Sequence, residues 1–421
     1  MSTYDEHLVI VGNGMAGHRL LETVLAHPHR PRHITILGDE PATAYNRILL
    51  SPWLAGDMDR EALTLRHHDW YAAQGVSLIV GERVTAIDRQ CRTLTTDQGR
   101  RLAYDRLVLA TGSRAARPAV TGSDLDGIHA FRDLEDGERL ASLADAGGRA
   151  VVIGGGLLGL EAAEGMRKRG MTVSVVHRAT QLMNRQLDLT AADMLATELR
   201  ARGLEIHTGA DLEAYAPDAD GQRVTGIVLS DGTTLAVDCV VAAIGIVPNT
   251  SLAERAGLAT GRGIQVDAFM TTSDPHISAL GECCEFEGTT YGLVEPIWRQ
   301  AEVLAARLCG ETPAPYRERP CATKLKVSGI SLYAFGPIAP TSAHEVLTYH
   351  DPQHGDYRRL LLRDGVIDGA VLYGDTGDGP WYFQCALTGE DLSACRQALL
   401  FGASDAQPLL DKHDTLSEEA A

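Results

Sequence analysis

The stretch LVIVGNGMAG (residues 8–17) carries an apolar, β-branched run straight into a loop of the form G-x-G-x-x-G, with Gly12, Gly14 and Gly17 at its fixed positions. The same pattern returns at 151–159, VVIGGGLLG, with Gly154, Gly156 and Gly159. The first glycine makes a tight turn, the second lets the backbone approach a pyrophosphate, and the third lets helix and strand pack closely. A pyrophosphate then meets the helix N-terminus, where unpaired N–H groups and the dipole favour anions. Met15 and Ala16, and Leu157 and Leu158, fill the variable positions and are assigned to the nucleotide sites with the glycines. One such loop is a weak signal. Two in one chain, each led by a strand and followed by a helix, point to two nucleotides in one protein.

The chain has 421 residues, 44% of them hydrophobic and only 5% aromatic, which suits a soluble α/β protein of two or three domains. Its formal net charge of −18 argues against a nucleic-acid surface or an anionic membrane. That charge suits solubility, docking to a partner with a basic patch, or a salt-adapted proteome. The start, MSTYDEHLVIVG, lacks the basic and small-residue pattern of a signal peptide, and no apolar run is long enough for a membrane span. A cytoplasmic location is therefore expected. The eight cysteines should stay reduced there, and their spacing matches neither zinc nor iron–sulfur ligation, so no metal site is assigned.

After the first loop, HRLLETVLAH reads as a helix and HITILGDEP as a strand ending in acids. A carboxylate about 20 residues past the glycines can accept both protons of a ribose diol, so Asp39 or Glu40 takes that role. VSLIVGERVTAIDR (76–89) reads strand, turn, strand. YDRLVLATGS (104–113) gives a buried strand ending in Ala110, Thr111 and Gly112, and 114–150 reads as a polar crossing segment.

The second loop leads into a helix ending near Gly170, then the strand MTVSVVHR. There the ribose position holds His177 and Arg178 in place of a carboxylate. An arginine suits a 2′-phosphate, an exposed loop arginine would look the same, and the choice between NADH and NADPH stays open. IGIVPNTSLAERAGL (244–258) marks the return to the first domain, and Gly245 within it is assigned to cofactor binding. PAPYRERP (313–320) reads as a linker. Beyond it come strands and a helix expected at DLSACRQALLFG (391–402).

Taken in order, the two glycine loops, the A-T-G strand end and Gly281-Glu282 after SDPHISAL resemble the FAD- and NAD(P)-dependent pyridine nucleotide–disulfide oxidoreductase superfamily. The region before Gln90 holds no cysteine. The resemblance is therefore to the cysteine-free branch, with the rubredoxin and ferredoxin reductases. YNRILLSPWLAG, TKLKVSGISL and GDTGDGPWYFQCALTGEDLSACRQALLFG are similar to the flavoprotein part of NAD(P)H nitrite reductase large subunits, and to the electron-transfer subunit of assimilatory nitrate reductase.

The resemblance implies an α/β fold: two Rossmann-like, three-layer βαβ dinucleotide-binding domains plus a small α+β C-terminal domain. The expected bounds are 1–118 and 246–312 for a discontinuous FAD domain and 119–245 for the NAD(P)H domain. An interface domain is expected at 320–402 and a flexible tail at 403–421. It implies that Val84 reaches the adenine, that Arg47 and Thr111 approach the flavin, and that Glu282 (where aspartate is commoner) binds the ribityl chain. Helix 291–310 would aim its N-terminus at the flavin. Glu161 resembles the glutamate that orients the nicotinamide carboxamide, and it is the one residue assigned a catalytic role.

The expected reaction is hydride transfer from NAD(P)H to FAD, with electrons passed on to a redox partner protein carrying metal centres. That partner would be a nitrate or nitrite reductase subunit, or a ferredoxin-like protein. No cysteine follows Cys395, so cluster ligands are expected on the partner. A homodimer is compatible with the sequence, as is a slow FAD- and NAD(P)H-binding redox sensor. Trp298, Trp381 and Cys283 are read as packing residues.

Overall fold

The structure, a computed structural model, describes residues 6–327 and 329–419. Its frame is a duplication. Strands Ile277–Ala279, Arg106–Leu109, His7–Val11, His33–Leu37 and Val76–Ile79 lie side by side in that order as an all-parallel sheet. Strands Glu205–Thr208, Thr172–His177, Arg149–Ile153, Cys239–Ala242 and Ile128–His129 make a second all-parallel sheet. In each, the central strand carries a glycine loop. Burial on both faces explains why these strands read as near-continuous apolar runs: Leu8 to Ile10 and Val173, Val175 and Val176 are almost wholly inaccessible.

Each sheet has a three-stranded antiparallel companion. Val84–Asp88, Thr93–Thr96 and Arg101–Ala103 serve the first, and Leu212–Pro217, Val224–Leu229 and Thr234–Ala236 the second. The chain leaves the first unit at Ser113–Ala115 and returns at Ile246–Pro248, and these two passes pair antiparallel. The first sheet is completed only by its edge strand, 277–279, far along the chain.

One segment crosses between the units. Tyr45, Leu50, Trp53, Leu54 and Leu63 belong by sequence to the first unit but pack in the core of the second. The short helix Leu50–Leu54 lies against helices Leu134–Asp145 and Leu157–Lys168. Gly137 and Gly165 make room for it: a Cβ on them would come within 2.5 Å of the Trp53 ring and 3.0 Å of Leu54.

Helix Leu134–Asp145 falls inside the stretch expected to be a polar crossing. Its start is fixed by a capping box between Asp133 and Asp136. The C-terminal domain is a five-stranded antiparallel sheet with helix Gly379–Thr388. That helix opens with Pro380 and ends at Gly389 with φ +67°. The helix expected at 391–402 is instead two 3-10 turns, Ser393–Cys395 and Leu399–Phe401.

The tail expected to be flexible is helical over Ala403–Glu419, with Ala406 and Leu410 buried in the domain's core; Ala420 and Ala421 lie outside the described residues. Asp188 accepts from Arg359 Nη1 at 2.6 Å and from the Tyr357 hydroxyl, tying this domain to the second nucleotide unit. No helix among the described residues is long and apolar enough to cross a membrane.

Candidate functional site

Both glycine loops have the same geometry. Gly12 has φ +116°, and a Cβ there would fall 2.0 Å from the Ala110 carbonyl oxygen. Gly154 has φ +123°, with its Cβ 2.2 Å from the Ala243 oxygen. The third glycines are excluded by the first: Cβ atoms on Gly17 and Gly159 would sit 1.9 Å and 2.0 Å from the Gly12 and Gly154 oxygens. No L side chain fits any of these positions.

The middle glycines differ. A Cβ on Gly14 or Gly156 meets no protein atom within 4 Å. Each is the N-cap of its helix with no side-chain cap, and neither helix has an acid in its first turn. Both loops thus present free N–H donors, an uncompensated dipole end and open room for a close anion, as a dinucleotide pyrophosphate requires. The residues present fit one dinucleotide at each loop.

The backbone puts the ribose ends in register too. Gly12 N–H donates to Leu37 O at 2.8 Å, and Gly154 N–H to Val176 O at 2.8 Å. In the first unit Asp39 is exposed, with its carboxylate 3.6 Å from Arg83. Glu40 is already engaged, accepting from the Tyr45 hydroxyl at 2.7 Å and pairing with Arg47. Val84 starts its strand beside this group, since Glu82 N–H bonds Gly38 O at 3.1 Å.

In the second unit the His177 ring is committed to the loop. Gly155 N–H donates to Nδ1 at 3.1 Å, so Nε2 carries the proton and points at Asn184 Oδ1, 3.3 Å away. Burial holds this imidazole below its ordinary pKa. His177 therefore braces the glycine loop as a neutral ring, while Arg178 is exposed.

Between the loops the two units meet. Ser51 Oγ donates to Glu161 Oε2 at 2.6 Å, joining the crossing segment to the second turn of the second loop's helix. Desolvation raises the Glu161 carboxyl to about 7, and the Ser51 bond only partly offsets it. Glu161 can hold or release a proton near neutral pH.

Glu282 accepts from Ser113 Oγ at 2.9 Å and pairs with Arg132, and Gly281 before it has φ +87°. Arg132 has no counterpart among the sequence-derived candidates; it follows the crossing segment's strand and reaches Glu282 only through the fold. Thr111 and Gly112 are clipped to Asn249, another such residue: Thr111 Oγ1 donates to Asn249 O (3.0 Å), Asn249 Nδ2 to Thr111 O (2.8 Å) and Asn249 N–H to Gly112 O (2.9 Å). Gly245 is the matching residue of the second unit, two past Ala243, also with positive φ.

Helix Val294–Leu308 carries Glu295 in its first turn, 3.6 Å from Arg299, so an acid partly opposes the dipole expected there. Gln300, fully buried on this helix, accepts from Gly281 N–H at 3.0 Å. Cys283 and Cys284 are buried, and desolvation pushes both thiols up, away from thiolate reactivity. Arg19 lies over the Trp298 ring, and Trp381 Nε1 donates to Gln407 Oε1 at 3.0 Å, contacts of packing residues.

Comparison with known proteins places this geometry. Residues 6–303 match the family model of the pyridine nucleotide-disulphide oxidoreductases, and residues 321–387 that of the rubredoxin NAD+ reductase C-terminal domain. The chain is 42% identical over 388 residues to a nitrite reductase [NAD(P)H] of Bacillus subtilis (strain 168), covering 92% of this chain and 48% of that protein. It is 39% identical over 395 residues to the assimilatory nitrate reductase electron transfer subunit of the same organism, covering 94% of this chain and 51% of the relative. The chain thus spans about half the length of these relatives. Among solved structures, a covalent putidaredoxin reductase–putidaredoxin complex matches with a TM-score of 0.82 and 30% identity, over 92% of this chain and 94% of that one. The chain belongs to the pyridine nucleotide-disulphide oxidoreductase family.

Proposed function

We propose that this protein is an NAD(P)H-dependent flavoprotein reductase that passes electrons to a separate redox partner. The carrying observation is the pair of superimposable, uncapped glycine loops on two parallel sheets, joined by the Ser51–Glu161 contact. The first unit, 1–118 with 246–312, holds FAD; the second, 119–245, takes NAD(P)H. Bound FAD supplies the chemistry, accepting a hydride and releasing electrons singly.

The chain's own residues bind and orient. Asp39 takes the adenosine ribose of FAD, because Glu40 is occupied by Tyr45 and Arg47. Glu282 takes the ribityl hydroxyls, held in place by Arg132 and Ser113. Glu161 takes the nicotinamide amide and, poised near neutrality, holds a proton at its carboxyl. Ser51 fixes the direction of that carboxyl. The eight free cysteines suit a reducing, cytoplasmic compartment.

Both Bacillus relatives are named for nitrite or nitrate reduction, which supports a nitrate- or nitrite-reducing partner. A second reading is a reductase of a ferredoxin-type protein. It is favoured by the rubredoxin-reductase match of the C-terminal domain and by the putidaredoxin reductase structure, which the chain covers almost throughout.

Stopped-flow mixing of the flavin-loaded protein with NADH and NADPH tests the core of the proposal. Flavin bleaching within seconds is expected, and its absence with both nucleotides overturns the reductase reading. Reconstitution with a nitrate reductase catalytic subunit and with a ferredoxin then identifies the acceptor.

A further inference from the structure

The ribose ends of the two loops correspond residue by residue. Gly81 N–H bonds Glu40 O (2.9 Å) and Glu82 N–H bonds Gly38 O (3.1 Å) in the first unit. Gly209 N–H bonds Ala179 O (2.8 Å) and Ala210 N–H bonds His177 O (3.1 Å) in the second. With the Gly12–Leu37 and Gly154–Val176 bonds, this register matches Gly38 to His177, Asp39 to Arg178 and Arg83 to Asp211. The charges are exchanged. Where the first unit offers a carboxylate to a ribose diol, the second offers a guanidinium.

A second arginine stands close by. Residues 178–188 fold back over the glycine loop: Met183 N–H bonds Gly155 O at 2.9 Å, Leu182 is buried where a Gly155 Cβ would strike it, and Asn184 meets the His177 ring. This fixes Arg185, next after Asn184, on the same short turn as Arg178. Both arginines are exposed, and neither makes a hydrogen bond or ion pair among the described residues.

The nearby acids are engaged elsewhere. Asp188 pairs with Arg359, Glu205 accepts from Ser174 Oγ at 2.6 Å, and Asp211 turns Oδ1 to its neighbour Leu212 N–H at 3.1 Å. A ribose diol would find no carboxylate at the Asp39-equivalent position, whereas a phosphate dianion would find two unpaired guanidinium forks.

We propose that Arg178 and Arg185 form a 2′-phosphate subsite, which makes NADPH, in preference to NADH, the physiological reductant. His177 does not contact the phosphate; it holds the loop that carries the arginines. The inference rests on the reading of the second unit as the nicotinamide nucleotide site.

Calorimetric titration of the flavin-loaded protein with 2′,5′-ADP and with 5′-AMP tests it without turnover. The expected result is 2′,5′-ADP binding at least about tenfold tighter, the scale of one to two charge-assisted hydrogen bonds. Arg178→Ala and Arg185→Ala should each remove most of that ratio. Arg178→Lys and Arg185→Lys, which keep the charge without the planar fork, should hold an intermediate value. Equal affinities for the two probes, or a ratio unmoved by both alanine variants, overturns the inference. If NADH bleaches the flavin while the two probes bind equally, this subsite is wrong and the reductase reading stands. If neither nucleotide bleaches it, the reductase reading falls while the probe ratio still judges the arginines.

Discussion

The two glycine loops share a backbone and differ in what braces it. In the first, the residue after the leading glycine is Asn13, packed against Gly38 at the strand end, where a Cβ would come within 3.0 Å of the Asn13 Cβ. In the second the sizes are exchanged: Gly155 is on the loop, and His177 fills the space from the strand side. Asn13 is buried and leads into a further network, with the Tyr71 hydroxyl 3.4 Å from its Oδ1 and 3.0 Å from His18 Nδ1. The second loop is braced by one partly exposed imidazole. Steric rules fix the glycines in both places, while the brace and the charge beyond it decide which nucleotide stays and which exchanges.

The comparison can be broken most severely at the leading glycines. Gly154→Ala forces a Cβ into the Ala243 carbonyl; flavin should remain bound while its reduction by NAD(P)H falls by about a hundredfold or more, the scale of about 3 kcal/mol. Gly12→Ala, with the same clash against Ala110, should instead yield protein that purifies without flavin. Absorbance at the flavin band and stopped-flow rates separate the two, and equal behaviour of the variants would end the assignment of one loop to each nucleotide.

The middle glycines sharpen it. A Cβ on Gly14 or Gly156 meets only solvent, so alanine there should leave the melting of the nucleotide-free protein within about 1 kcal/mol of the parent. The corresponding nucleotide should bind about tenfold more weakly or worse. A Gly156→Ala protein with undiminished nucleotide affinity would show that the pyrophosphate lies elsewhere.

Arg132 and Glu161 give smaller, more local effects. Arg132→Ala leaves Glu282 with Ser113 alone, and flavin retention on dialysis should weaken by about tenfold, with partial rescue by lysine. At Glu161 the sign follows from its raised carboxyl. The folded state keeps a proton that the unfolded chain releases above the ordinary value of 4.5, so this group's contribution to stability falls as pH rises from 4.5 through about 7. Glu161→Gln, still able to accept from Ser51, should remove that slope, worth on the order of 2 kcal/mol. It should also remove an inflection near pH 7 in the flavin-reduction rate. Parallel pH profiles for parent and variant would exclude Glu161 as the titrating group.

What could be read without the fold follows a physical division. Gly12, Gly17, Gly154 and Gly159 are legible because their constraint is local: each glycine's excluded Cβ meets a backbone atom that the motif itself positions. The edge acids at Asp39 were legible to within one residue, and the network of Tyr45 and Arg47 on Glu40 is what separates it from its neighbour. Arg132, Asn249 and Ser51 were not legible, because their partners Glu282, Thr111 and Glu161 lie more than 100 residues away in sequence. Helix Leu134–Asp145 was missed despite a usable signal, the acid pair Asp133 and Asp136 of its capping box. The C-terminal helix was placed a dozen residues late, although Pro380 and Gly389 mark both its ends.

The paired passes Ser113–Ala115 and Ile246–Pro248 make the second unit an insertion within the first, and that order has a consequence for synthesis on the ribosome. Every strand of the inserted sheet has been translated by Ala242, whereas the outer sheet waits for Ile277–Ala279 and its flavin-facing acid for Glu282. The inserted unit is thus free to fold as a unit while the chain is still growing, and the outer sheet must close late across a long loop. A nascent chain halted near residue 250 should capture nicotinamide nucleotide before the protein can retain any flavin.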